Sequence, residues 1–321
     1  MLDLTKLPSK APEYDLTALF EAGCHFGHQK NKWHPKMRSF IYMEKDGIHI
    51  FDLAKTASQL QLAYNALYQL GLEGKTVVMV GTKRSVRDIV TQSAQDSGML
   101  YITARWLGGL FTNWDQVKLS LKKLITTEDK LKSGGFKGYT KYEILQIEED
   151  VIRLDRFFGG IRGLEKLPDC IVVIDPNHET IAVKEAHHVG VPVIALIDSN
   201  GNPDLVDIAI PANDDAPASV ALIVAELTKA YQQGRADGGI KMKTVPQASG
   251  APTTPVIPAS TVIKTAVEKT PSDVVIKDGK VAVVATETKV AKTVKTKSAP
   301  VKSIKAKPTD TKPKSTKTKK D

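Results

Sequence analysis

An α/β domain built on a parallel sheet with helices on both faces, interrupted by a helical hairpin and followed by a basic tail, is the fold this sequence predicts. Three observations predict it. Short continuous apolar runs alternate with amphipathic helical stretches, the pattern of strands buried on both faces. A middle region switches to apolar spacings of three and four around a glycine-rich turn. From about residue 236 aromatic residues vanish and Lys, Thr, Val, Ala and Pro take over.

The elements follow in order. Residues 1–12 read as a loose arm and residues 15–23 as a short helix with Leu16, Leu19, Phe20 and Gly23 on one side. The basic stretch that follows reads as loop, and Ile48-His-Ile-Phe-Asp-Leu53 as a buried strand. Leu60, Ala63, Tyr64, Leu67 and Leu70 keep helical spacing, with Gly71 and Gly74 closing that helix. Thr76-Val-Val-Met-Val-Gly81 is a second buried strand, Ser85 is set to cap a helix running to Gly98, and residues 100–103 form a short strand. The alternation resumes with a strand at 170–175, a helix at 179–189, a strand at 191–197, an edge strand at 206–210 and a closing helix at 216–232.

Between these runs, Trp114, Val117, Leu121, Leu124 and Leu131 make one apolar stripe, and Ile144, Ile147, Val151, Leu154 and Phe158 another. Gly134, Gly135 and Gly138 lie between them. The stripes predict an antiparallel hairpin with a coiled-coil seam at about residues 112–158, inserted into a body spanning 13–235. Residues 236–321 are expected to be a disordered basic tail, because they cannot bury enough apolar surface to offset the entropy of ordering.

Charge is divided unevenly. From Ile240 onward lie 18 of the 45 basic and 6 of the 36 acidic residues, which leaves the preceding 239 residues with 27 and 30, a net of −3. A nucleic-acid surface on the body must therefore come from clustering. Cys24 and Cys170 are too few and too far apart for a disulfide framework, which fits a reducing cytoplasm. No apolar run approaches the ~20 residues of a membrane span, and the start lacks a signal-peptide pattern, so no membrane partner is expected.

The clearest cluster is His25-Phe-Gly-His-Gln-Lys-Asn-Lys-Trp-His-Pro-Lys-Met-Arg38, which has no acid. Lys30, Lys32, Lys36 and Arg38 can contact phosphates, while Trp33, His25 and His28 can pack on sugars or exposed bases. A solvated loop with Trp33 capping the core is the plainer account. Cys24, His25 and His28 also suggest metal ligands, but no second pair with ligand spacing accompanies them, and neither a metal nor a cofactor is expected. Lys83, Arg84 and Arg87 follow the end of a strand, where helix N-termini favour anions, yet both glycine-rich phosphate fingerprints are missing. Arg105 lies in a two-glycine loop entering the hairpin, Thr112 or Asn113 can cap its first helix, and Lys118 and Lys122 extend the basic patch along it. Asp175, Glu179, Asp198, Asp204, Asp207, Asp214 and Asp215 gather near later strand ends and could hold Mg²⁺, but no nucleophile or partnered base accompanies them.

These residues resemble the bacterial small-subunit ribosomal protein S2 family. The resemblance rests on Ala22-Gly-Cys-His-Phe-Gly-His28, Trp33-His-Pro-Lys-Met37, Asp46-Gly-Ile-His-Ile50, Asp52-Leu53, Gly81-Thr-Lys83, Arg105-Trp-Leu-Gly-Gly109 and Thr112-Asn113. It continues through Gly159-Gly-Ile161, Leu167-Pro-Asp169, Glu179, Ala182-Val183, Glu185-Ala186, Asp198-Ser-Asn200, Pro211 and Asn213-Asp214. It implies a flavodoxin-like doubly wound sheet with a protruding coiled-coil hairpin. It also implies binding of 16S ribosomal RNA at the head–body junction, neighbouring small-subunit proteins as partners, among them the mRNA-binding protein S1, no catalysis and no homo-oligomer. Cys24 departs from the family's usual aliphatic residue, and the tail is longer than in many members. Two other functions compete: a nucleotide- or sugar-phosphate-binding α/β enzyme, and a polyanion-binding adaptor driven by the tail.

Overall fold

A computed structural model describes residues 7–240 of the chain. Of the tail expected at 236–321, residues 241–321 lie outside the described residues.

Among the described residues eight strands form two sheets, with seven α-helices between and around them in sequence. The first sheet is small and antiparallel, with β1 (Phe26–Gln29), β2 (Ile41–Lys45) and β3 (Ile48–Phe51) in the order β1-β3-β2. The second is parallel, built from β4 (Val77–Val80), β5 (Leu100–Ile102), β6 (Cys170–Ile174), β7 (Val193–Ile197) and β8 (Ile208–Pro211) in the order β5-β4-β6-β7-β8. That is the 2-1-3-4-5 order of flavodoxin-like doubly wound sheets, with a switch point between β4 and β6.

Alternate residues of each parallel strand enter different cores, because side chains along a strand point to opposite faces. Val77, Met79, Val172, Ile174, Ile194 and Leu196 join Leu60, Val90 and Val224 on one face. Those partners come from α2 (Leu53–Leu72), α3 (Arg87–Ser97) and α7 (Pro217–Asp237). Val78, Val80, Ile171, Val173, Val193 and Ala195 face α6 (Thr180–Val189) through Ala182, Val183 and Ala186. The roots of α4 (Trp114–Lys132) and α5 (Lys141–Phe158) share this second core.

The two apolar stripes of the middle region do face inward. Val117, Leu121 and Leu124 of α4 and Val151 and Phe158 of α5 are buried, and Leu131, Ile144 and Ile147 are half-buried. A capping box at Thr140, whose hydroxyl and Glu143 satisfy each other's backbone N–H groups, starts α5.

Several boundaries differ from expectation. The basic segment contains β1 and two short 3-10 turns, Lys30–Lys32 and Pro35–Phe40, rather than loop alone. Neither Ser85 nor Asn113 makes a capping bond: Val86 stands at the N-cap of α3, and Asn113 caps α4 without using its side chain. In α1 (Leu16–Glu21) only Leu19 is buried, while Leu16 and Phe20 are exposed. Residues 7–12 are held rather than loose, since Leu7 and Ala11 pack on the core and the Lys10 and Ala11 amides donate to Asn65 at 2.9 and 2.8 Å. The last helix runs to Asp237, past the expected end of the body.

Gly71 does not close α2 but lies inside it, where the helix meets α7. A Cβ at Gly71 would stand 2.5 Å from the Tyr231 carbonyl oxygen, and one at Gly234 2.1 Å from that of Tyr68. Both obstacles are backbone and cannot rotate away. We expect Gly234→Ala to lower stability by about 1–3 kcal/mol through overpacking, more than the ~1 kcal/mol that alanine contributes to helix propensity. Urea unfolding checks this as a lower midpoint with an unchanged slope.

Candidate nucleic-acid interface and the acid cluster beneath it

Open α/β sheets present ligands with the carboxyl ends of their strands. Here the residues following β4, β6, β7 and β8 converge on one buried ionic cluster. Lys83, 18% exposed, places its Nζ 2.6 Å from Asp175, 2.9 Å from Asp214 and 3.0 Å from Asp215. Asp175 takes a left-handed backbone (φ 61°), rare for a non-glycine residue, and its other carboxylate oxygen accepts from the Asn177 and His178 amides. Asp214 is fully buried and has the Lys83 ion pair but no well-aligned hydrogen bond.

Desolvation, with Asp175 and Asp198 nearby, pushes the Asp214 carboxyl up to about 7. Burial by itself would depress the Lys83 ammonium, but the carboxylates of Asp175 and Asp214 outweigh it and raise it. His28 reaches the same cluster from the small sheet. Its Nδ1 is 3.0 Å from Asp198, whose carboxylate raises the imidazole, and its backbone amide donates to Asp198 and to Ser199 Oγ. His28, Asp198 and Asp214 are the one group of three among the described residues whose donor atoms lie within 4.8 Å of one another. One imidazole nitrogen and two carboxylates could hold a divalent cation, with Lys83 as the competing charge. The set of Cys24, His25 and His28 weighed from sequence does not converge in this way. Cys24 is buried, burial pushes its thiol up, and the His25 ring stacks on Phe20 at 4.2 Å and lies 3.9 Å from Phe26.

The other predicted contact residues divide between paired and exposed side chains. Lys30 pairs with Glu44 at 2.7 Å and Lys36 with Asp204. The Arg87 guanidinium donates to the carbonyls of Thr82 and Ala104, tying the loops after β4 and β5 together. Those loops carry Arg84 and Arg105. Lys32, Arg38, Arg84, Arg105, Lys118 and Lys122 are exposed and have no carboxylate partner among the described residues. Trp33 is half-buried, its indole edge-on to His49 with ring centroids 5.1 Å apart.

Sequence reasoning missed two residues. His49 is buried on β3 with both ring nitrogens unpartnered. Glu185, buried on α6, accepts from the amides of Gly109 at 2.7 Å and Phe111 at 2.9 Å, and from the Trp106 indole N–H at 3.3 Å. It thereby fixes the loop that carries Arg105 and leads into α4.

Comparison with known proteins places these features in a family. The family model described as "Ribosomal protein S2" matches residues 19–234. A relative from Geotalea uraniireducens called "Small ribosomal subunit protein uS2" is 42% identical over 226 residues, covering 70% of this chain and 88% of its own length. Relatives with the same name from Roseiflexus sp. and Roseiflexus castenholzii are 40% and 41% identical over 220 residues, covering 68% of this chain and 84% of their own lengths.

Proposed function

This chain belongs to the ribosomal protein S2 family, and from that premise we propose that it binds 16S ribosomal RNA at the head–body junction through the cations that its own carboxylates leave unpaired. It is a structural component of the small ribosomal subunit, a cytoplasmic particle, and its family is not enzymatic. The observation that carries the RNA reading is the division of the predicted basic residues into two sets. Lys83 and His28 neutralise an internal acid cluster, and Lys30 and Lys36 pair with surface acids. Lys32, Arg38, Arg84 and Arg105 are left to face solvent. Phosphate contacts come from such cations and weaken steeply with salt. Lys118 and Lys122 extend the patch along α4, which we read with α5 as a coiled-coil arm. Neighbouring small-subunit proteins, S1 among them, are the protein contacts this reading includes, with one copy of the chain per subunit.

The competing enzyme reading is weakened by the same geometry, because a phosphate at the end of β4 would meet Asp175, Asp198 and Asp214. The test is the combined substitution of Lys32, Arg38, Arg84 and Arg105 by Glu. Occupancy in purified small subunits should fall at least about tenfold, with the thermal midpoint unchanged, since four exposed side chains carry little of the core. Undiminished occupancy would sink the proposal.

A further inference from the structure

Beside the basic segment lies an open cleft of about 460 Å³, within the size range of small-ligand sites. Its walls are Trp33, Ile41 and Met43, its cations are Lys30 and Arg38, and His49 lines it from β3. His49 is 6% exposed, and neither ring nitrogen has a hydrogen-bond partner. An imidazole held in this way forfeits its water without replacement, which is costly unless a ligand supplies the partner. Arg38 has no acidic partner among the described residues, and the exposed Lys30–Glu44 pair at 2.7 Å is of the kind that opens at small cost. Glu44 also lines the cleft and disfavours an anion deep inside, so a phosphate belongs at the mouth with Arg38 and the apolar part of the ligand within.

We propose that this cleft takes one unpaired nucleotide of RNA. The base inserts between Trp33 and the Ile41–Met43 wall, displaces the Trp33 edge from His49 so that its own edge pairs with the imidazole, and places its phosphate against Arg38 and the released Lys30. Neutral imidazole offers one donor and one acceptor, as base edges do. Aromatic stacking with a cation at the backbone is how proteins hold single-stranded nucleotides. The inference rests on the RNA-binding reading and adds the unit recognised.

The experiment uses the full chain and three RNA probes: a short single strand with a fluorescent 2-aminopurine at its centre, the same strand with an abasic site there, and the fully paired duplex. The single strand should bind at least about tenfold tighter than the abasic strand, with the fluorophore quenched, the loss expected for one stacked base. His49→Leu should remove that difference while keeping affinity for the abasic strand, and Trp33→Leu should do the same. The labelled His49 imidazole of the unsubstituted chain should shift with the base-bearing strand alone, a readout that needs no variant to fold. Equal affinity for base-bearing and abasic strands, or an unmoved His49 resonance, overturns the inference. If Lys32, Arg38, Arg84 and Arg105 reversal still abolishes subunit occupancy, the RNA-binding reading survives that failure.

Discussion

Replacing Lys83 with methionine is expected to cost the folded body about 3–5 kcal/mol above pH 7, because removing one partner from a buried ionic cluster leaves the opposite charges uncompensated. Lys83 meets three carboxylates; Asp175 also has two amide donors and Asp215 is largely exposed, but the buried Asp214 has no aligned hydrogen bond to fall back on. Methionine keeps the length of the stem, so the loss is one of charge. Its pH dependence follows from Asp214. That carboxyl already sits at about 7 against an ordinary 3.8, and without Lys83, which lowers it, it rises further. A raised carboxyl takes up a proton in the folded state that the unfolded chain does not bind, so stability increases as pH falls from the folded value toward the unfolded one. The deficit of the variant should therefore shrink between pH 8 and pH 5. Urea titrations at both values, with a chelator present so that no cation replaces the ammonium, check it. A loss that is equal at both values would mean that Lys83 acts through packing alone.

How much of this could be read from the chain depends on where each residue's partner lies in sequence. The parallel strands were legible because both of their faces are buried, so Cys170-Ile-Val-Val-Ile and Val193-Ile-Ala-Leu-Ile appear as unbroken apolar runs. Of the small sheet only β3 was legible, as the strand read at Ile48–Leu53; β2 is exposed along most of its length and β1 mixes glycine with polar residues. One signal for it was present: Asp46 and Gly47, both left-handed, make the two-residue turn joining Lys45 to Ile48, and Asp-Gly is the preferred pair for that turn. Gly71 was read as a terminator because glycine more often ends helices, and the reason for its place, the backbone of α7, lies some 160 residues away.

The candidate site divides in the same manner. The basic character of residues 25–38 is local and visible, whereas its partition between paired and unpaired cations is not. Lys83 follows a strand with the look of an anion-binding cation. Only the strand order, which carries the ends of β6 and β8 to the same edge, shows that its anions are internal. His49 sits in an alternating strand pattern where a histidine carries no distinguishing mark.

Glu185 belongs to a motif of the family resemblance, but nothing around it in sequence marks its role, and its removal should have the second large effect. On α6 it occupies a position where a surface glutamate would be unremarkable, yet it is 8% exposed and its two oxygens receive the amides of Gly109 and Phe111. The loop they belong to makes no ladder with any strand, so this carboxylate is what satisfies its inward-facing N–H groups. Glu185→Ala leaves at least two buried donors without partners, each costing about 1–3 kcal/mol, and should lower stability by about 3 kcal/mol. Glu185→Gln should lose less, about 1–2 kcal/mol: one oxygen still accepts, while the new N–H₂ group faces a second donor. Hydrogen exchange separates this account from general destabilisation. The Gly109 and Phe111 amides should lose protection in both variants by more than the amides of β6 do, because the opening is local. Since this loop carries Arg105 and sets the start of α4, the Gln variant should also bind small-subunit RNA more weakly at constant fold content. Unchanged protection at residues 109 and 111 would show that something other than Glu185 holds the loop.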